Sequence, residues 1–190
     1  MKKIITDVDG VLLNWKDCFR DWMETEGFVR SDPDSYAVHR EYDINREQAD
    51  GLIKDFNESV WISQLQYLHD SKEGVQKLVK NGYKIDICTA VGLNEYIQET
   101  RNRHLEYLFG KNTFDKMHYV TGNGAKDHIL EEYEGTEYYW LEDKPENAVS
   151  GLQFGLKCIL YTHSYNEWFE HKDVIRVKNW QDICEVILNE

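Results

Sequence analysis

The sequence predicts an α/β protein: a Rossmann-like, mostly parallel sheet flanked by helices, with a small α-helical cap inserted after the first strand. Three observations predict it. Short apolar runs alternate with segments of helical periodicity from residue 72 onward, as strands joined by helical crossovers do. Residues 15–70 contain no convincing strand. Polar residues, mostly acidic, stand at or just beyond the ends of the apolar runs.

The elements follow in chain order. Lys3 to Val8 reads as a strand closed by Gly10. Phe19, Trp22 and Met23 then recur at helical spacing, and a polar loop follows at Ser31-Asp32-Pro33-Asp34. Asn45 caps a second helix that carries Ala49, Leu52, Ile53 and Phe56. Val75, Leu78 and Val79 mark a helix over 72–81 that stops at Asn81-Gly82. A strand is expected at 84–88, then a long helix carrying Leu93, Ile97, His104, Leu105 and Leu108 and ending at Gly110. Further strands are expected at 117–120, 138–141 and 156–161, with a short edge strand at 174–177. Ile129, Leu130 and Tyr133 mark a short helix, and Glu131-Glu132-Tyr133-Glu134 reads as its solvated face. Thr121-Gly122-Asn123-Gly124 and Ser150-Gly151 read as turns. Asn179 caps the last helix, which carries Ile183, Val186 and Ile187. The expected division is a core of residues 1–14 and 71–190 and a cap of residues 15–70.

The composition excludes several function classes. Hydrophobic residues make up 41% and charged residues 30%, an ordinary globular balance. With 22 basic against 35 acidic residues, the net charge of −13 repels nucleic-acid backbones and anionic membranes. It also repels an anionic substrate, so a phosphate site here needs local positive charge from a divalent cation and a well-placed lysine. Cys18, Cys88, Cys158 and Cys184 form no C-x-x-C pair and suit free thiols in a reducing compartment. The seven histidines lack the spacing of a zinc site. Asp7 comes too early for a signal peptide and no apolar run reaches membrane-spanning length, so a cytoplasmic location is expected.

The chemistry centres on Asp7-Val8-Asp9-Gly10-Val11. Two carboxylates there repel each other and lose hydration, which stability alone does not explain. In open parallel sheets, ligands bind at the carboxyl ends of the strands. Thr89 ends the strand at 84–88, Lys126 opens the short helix before the fourth strand, and Glu142 and Asp143 follow that strand. All these residues fall at one edge of the expected sheet.

This order resembles the haloacid dehalogenase superfamily of phosphohydrolases: Asp-x-Asp-Gly-Val, a strand ending in Thr, a Lys, then an acidic pair after a strand. The resemblance implies that Asp7 is a nucleophile forming an acyl phosphate, and that Asp9 is the general acid and base. It implies Mg2+ held by Asp7, the main-chain carbonyl of Asp9, and Asp143. It further implies that Thr89 and Lys126 bind the phosphoryl oxygens. Glu142 stands where aspartate is commoner, as an auxiliary that orients water or Lys126. The insert resembles the helical cap of one branch, most like the 5'(3')-deoxyribonucleotidases. Those enzymes place an aromatic eight positions after the nucleophile, where this chain has Trp15, and the segment Asn179-Trp180-Gln181-Asp182-Ile183 is similar to theirs. Ala90 departs from the serine common there, which removes one phosphate hydrogen bond.

The insert region holds Trp15, Phe19, Trp22, Phe28, Tyr36, Tyr42, Phe56 and Trp61. Phe19, Trp22 and Phe56 suit a small core, whereas Trp15 and Trp61 suit either a core or a wall that stacks on a nucleobase. The expected substrate is a small phosphate ester, a nucleoside monophosphate by resemblance. A sugar phosphate or other phosphometabolite is the alternative, and a non-catalytic binding module on the same fold is the third reading. Oligomeric state is left open.

Overall fold

The computed structural model describes residues 2–33, 35, 37–121 and 125–189; the expectations at Asp34, Tyr36 and 122–124 lie outside them. Six strands pair in parallel: β1 (Lys3–Thr6), β2 (Lys84–Thr89), β3 (Met117–Tyr119), β4 (Tyr139–Glu142), β5 (Lys157–Tyr161) and β6 (Val174–Val177). Their order is β3-β2-β1-β4-β5-β6. The chain therefore builds outward from β1 in one direction and then in the other. The crevice at such a reversal, at the carboxyl ends of the strands, is where open α/β sheets bind ligands.

Helices α1 (Trp15–Thr25), α2 (Val38–Glu41) and α3 (Arg46–Glu58) follow β1, and α4 (Ser71–Lys80) leads into β2. Helix α5 (Glu95–Phe109) lies between β2 and β3, α6 (Asp127–Leu130) between β3 and β4, and α7 (Pro145–Gln153) between β4 and β5. Helix α8 (Trp180–Leu188) follows β6. Asn45 and Gln48 form the capping box that starts α3, and the Asn179 side chain accepts from Asp182 N–H to start α8. Strands β1, β2 and β4 are buried over nearly their whole length, as expected for the centre of a parallel sheet covered on both faces.

The aromatics of residues 15–70 join the main hydrophobic core rather than forming a core of their own, because Phe19, Trp22 and Phe56 share one buried cluster with Val8, Val11 and Leu12. Phe19 sits 5.7 Å from Trp22 and 5.3 Å from Phe56, ring centre to ring centre, and all three are buried. The loop that leads into the insert is firmly tied. The Val8 carbonyl accepts from the N–H groups of Leu12 and Leu13 at 2.8 and 2.9 Å. The Trp180 indole donates to the Val11 carbonyl at 2.8 Å. The Leu12 carbonyl accepts from Ser71 Oγ at 2.8 Å.

Several expectations are corrected. Strand β1 stops at Thr6 rather than Val8, because the Val8 carbonyl turns inward to cap the following loop. The long helix begins at Glu95, capped by Asn94, and leaves Leu93 outside and exposed. Val79 lies on the outer side of α4 and is exposed. Residues 131–133 form a 3-10 turn in which Tyr133 is buried and donates to Asp86 Oδ2 at 2.7 Å. Ser150-Gly151 is not a turn but lies within α7, which begins at Pro145 in the first helical turn. Gly151 is there because α7 presses on the sheet: a Cβ would stand 2.6 Å from Trp140 Cδ1 and 2.8 Å from Cys158 Sγ. All four cysteines are free thiols, three buried and Cys18 half-buried. Among the described residues no helix is long and apolar enough to cross a membrane.

The α7 contact is testable. Gly151→Ala should destabilise the fold by about 1–3 kcal/mol through overpacking against Trp140 and Cys158, read from the urea midpoint; an unchanged or raised midpoint contradicts the close approach.

Candidate active site

Asp7 is the first residue past β1, and its N–H still bonds the Leu141 carbonyl of β4 at 2.9 Å. This ladder bond holds the backbone while the side chain is directed by two other contacts. Asp7 Oδ1 accepts from the Val8 N–H at 2.7 Å, and Oδ2 lies 2.9 Å from Lys126 Nζ. Gly10 closes the motif with φ +83°, a conformation costly for other residues, and a Cβ there would collide with the Asp143 carboxylate.

Lys126 immediately precedes α6 and is almost completely shielded from water. Its ammonium lies between Asp7 and Glu142, 3.2 Å from Glu142 Oε2, and 5.2 Å from the centre of the Trp140 ring. Burial pushes the ammonium pKa down, but the charges of Asp7 and Glu142 outweigh it and raise the pKa overall. The group is a fixed cation. Glu142, the last residue of β4, also accepts from Asn147 Nδ2 at 2.6 Å. Burial, then the charge of Asp7, push both Glu142 and Asp143 up from the usual carboxylate range.

Carboxylate oxygens of Asp7, Glu142 and Asp143 lie within 4.8 Å of one another. Lys126 supplies one positive charge against three acidic groups. The donor set, hard oxygens in a buried anionic cluster, fits a divalent cation such as Mg2+. Asp143 is fixed from behind: the Tyr165 hydroxyl donates to its Oδ2, and Asn166 Nδ2 donates to its carbonyl at 2.8 Å. Thr89 ends β2 close by. Its hydroxyl oxygen is buried and has no hydrogen-bond partner among the described residues, the condition of a group waiting for an oxygen ligand.

These residues line the floor of a cavity of about 450 Å3, within the range of small-molecule sites. Residues 15–70 add Trp15, Lys16, Glu41, Arg46, Ile53 and Asn57 to the lining of the same cavity. Trp15 stacks on Phe19 at 4.6 Å and 11°, and its indole N–H donates to Asn57 Oδ1 at 2.9 Å. Lys16 Nζ lies 5.2 Å above the Tyr165 ring, so one cation–π contact joins the insert to the Asp143 support.

The structure thus brings Asp7, Asp9, Thr89, Lys126, Glu142, Asp143 and Trp15 to one cavity, and leaves Trp61 out of it. Trp61 belongs to the 3-10 turn at Val60–Ser63 and packs, half-buried, against the hydrophobic core. Ala90 also lines the cavity, where a serine would add a donor. Three contributors went unread in the sequence: Tyr165, Asn147 and Arg101. Arg101 had a visible signal. It shares the inward face of α5 with Ile97, Leu105 and Leu108, where an apolar residue is expected, and a buried arginine requires a carboxylate. That carboxylate is Asp9, gripped by both guanidinium nitrogens at 2.8 and 3.0 Å.

Comparison with known proteins agrees with this geometry. The family model described as "5' nucleotidase, deoxy (Pyrimidine), cytosolic type C protein" matches residues 2–190. The chain belongs to this family. It is accordingly a phosphoric monoester hydrolase of 5'-nucleotidase-like type, with the fold of haloacid dehalogenase-like hydrolases. No curated protein matches the sequence. A predicted phosphatase from Clostridium acetobutylicum superposes with a TM-score of 0.70 at 13% identity, covering 100% of this chain and 99% of the other. A haloacid dehalogenase-like hydrolase from Streptococcus pneumoniae gives 0.67 at 12% identity and 98% coverage of both chains. A superfamily hydrolase from Ehrlichia chaffeensis gives 0.62 at 17% identity, covering 100% of this chain and 98% of the other. At these identities the superpositions speak for the fold alone.

Lys126 offers the test of the charge balance. Lys126→Met removes the cation between Asp7 and Glu142 and should cost about 3–5 kcal/mol of stability in EDTA. Added MgCl2 should then raise the melting temperature of the variant more than that of the wild type. A variant as stable as wild type in EDTA contradicts the assignment.

Proposed function

We propose that this family member is a Mg2+-dependent phosphomonoesterase that dephosphorylates (deoxy)nucleoside monophosphates through an aspartyl-phosphate on Asp7. The observation that carries this reading is the pairing of Asp7 Oδ2 with the buried Lys126 ammonium in the cavity that also holds the Thr89 hydroxyl, which has no hydrogen-bond partner among the described residues. A phosphoryl group placed before Asp7 finds a cation and a hydroxyl donor already in position, with no side chain to be displaced from Thr89.

Asp7, Asp143 and the main-chain carbonyl of Asp9 would hold the Mg2+, which when bound offsets negative charge between the nucleophile and the phosphoryl oxygens. The rest belongs to the chain's own residues. An Asp7 carboxylate oxygen attacks phosphorus, the bond to the leaving oxygen breaks, and that oxygen takes its electron pair and a proton from Asp9. Water then attacks phosphorus and loses its proton to the Asp9 carboxylate, while the bond to the Asp7 oxygen breaks. Phosphate leaves and both aspartates are restored. Lys126 and Thr89 bind phosphoryl oxygens throughout, and Glu142 keeps the ammonium in place through the contact at 3.2 Å.

We assign residues 15–70 the role of a cap, because their helices line the same cavity as Asp7, Thr89 and Lys126. Closing over those residues excludes water from the reacting centre. Trp15 supports the nucleotide choice: it lines the cavity, and the hydrogen bond to Asn57 sets the plane of a ring suited to stacking on a base.

Two experiments test the reading. On a panel of phosphate esters at fixed Mg2+, a nucleoside monophosphate should show the highest kcat/KM; a sugar phosphate that exceeds every nucleotide removes the substrate assignment. Asp7→Asn should leave a folded protein whose kcat is lower by about 10³-fold or more, and a variant with wild-type turnover removes Asp7 as nucleophile.

A further inference from the structure

Asp9 meets the cavity on one side and Arg101 on the other. Arg101 Nη1 and Nη2 lie 2.8 and 3.0 Å from Asp9 Oδ1 and Oδ2, a two-pronged contact across residues distant in sequence. Arg101 is fully buried and does not line the cavity. Its Nε has no partner among the described residues. A substrate in the cavity thus meets Asp9 and not the arginine behind it.

Stability gives a poor account of this pair. Ile97, Leu105, Leu108 and Phe109 make most of the inward face of α5 apolar, His104 being satisfied there by the Leu65 carbonyl, and a leucine or methionine at position 101 would extend the apolar surface. Replacing a buried ion pair by packed apolar groups is often neutral or stabilising. What an apolar residue cannot do is fix a carboxylate. A guanidinium fork holds both oxygens in its own plane and stops rotation of the carboxylate about its last bond. Each Asp9 oxygen keeps a further lone-pair direction, and the side chain is 22% exposed towards the cavity. Lysine, a point charge on a flexible stem, cannot impose a plane in this way.

Resting on the phosphatase reading above, we infer that Arg101 is a positioning residue: it acts through Asp9 alone, aiming the carboxyl that protonates the leaving oxygen and later accepts the proton of water. Arg101 itself exchanges no proton and touches no substrate atom. The effect of removing it must then depend on how much a substrate needs that acid. A nitrophenolate leaves without help, whereas the alkoxide of a nucleoside or sugar needs its proton during bond breaking.

The test compares kcat/KM, which reports the steps up to loss of the leaving group, for p-nitrophenyl phosphate and a nucleoside 5'-monophosphate. Arg101→Met should lower the value for the nucleotide by roughly 100-fold and that for p-nitrophenyl phosphate by less than about threefold, with Ki for inorganic phosphate unchanged. Arg101→Lys should fall between wild type and Arg101→Met, and it carries the same comparison should the methionine variant melt too low to assay. In an Asp9→Asn background, Arg101→Met should change kcat/KM by less than about twofold, because the partner through which it acts is gone. Equal losses on both esters, a raised Ki for phosphate, or an undiminished effect in the Asp9→Asn background each overturn the inference while the wild type remains a phosphatase. A wild-type protein that releases no phosphate from any ester in Mg2+ removes the phosphatase reading itself.

Discussion

A single buried ammonium makes this site chemically tenable. Asp7, Glu142 and Asp143 crowd their carboxylates within 4.8 Å, and all three residues are shielded from water. Unbalanced, they would be held together against both repulsion and lost hydration. Lys126 sits between two of them, 2.9 Å from Asp7 and 3.2 Å from Glu142. Its own pKa is raised by the same neighbours, so it stays charged wherever they are ionised. The remaining excess of negative charge is what gives the cluster its fit to a divalent cation. A chain with a net charge of −13 thus keeps one buried cation beside Asp7, within a cluster that is negative overall.

The sheet topology makes that arrangement available. Strand β1 lies between β2 and β4, so the ends of three neighbouring strands present Asp7, Thr89 and the Glu142-Asp143 pair side by side. The loop after β1 is locked by the Val8 carbonyl and by bonds from Ser71 and Trp180. Anchoring of this kind keeps Asp7 and Asp9 in fixed relation, as reaction geometry requires. Residues 15–70 share the main apolar cluster with the sheet, and Lys16 over the Tyr165 ring adds a contact at the site. Tyr165 in turn donates to Asp143, so the same side chain touches the acidic cluster and the insert.

The fold was largely legible in the sequence because its signals are local. Six strands, the capped helices at Asn45 and Asn179, and the strandless stretch after β1 follow from periodicity and capping chemistry within short windows. Helix α7 was not legible. Its Ser150-Gly151 pair resembles a turn until the sheet is in place, and only then does Gly151 become the residue that fits against Trp140 and Cys158. The end of β1 was overrun by two residues for a similar reason, since Val8 is as apolar as a strand residue but spends its carbonyl on the next turn.

The sequence by itself determined which residue types the site contains and the order in which strands deliver them, because each motif residue is tied to the end of its own locally encoded element. Tertiary structure alone decided between equals. Trp15 and Trp61 were equal candidates in the sequence, and both pack half-buried against the core, yet of the two Trp15 lines the cavity and Trp61 does not. It also decided that Asp9 has a partner, Arg101, ninety-two positions away. Pairing across such a separation is set by how α5 docks beside the β1 loop, and no periodicity within one segment carries that information.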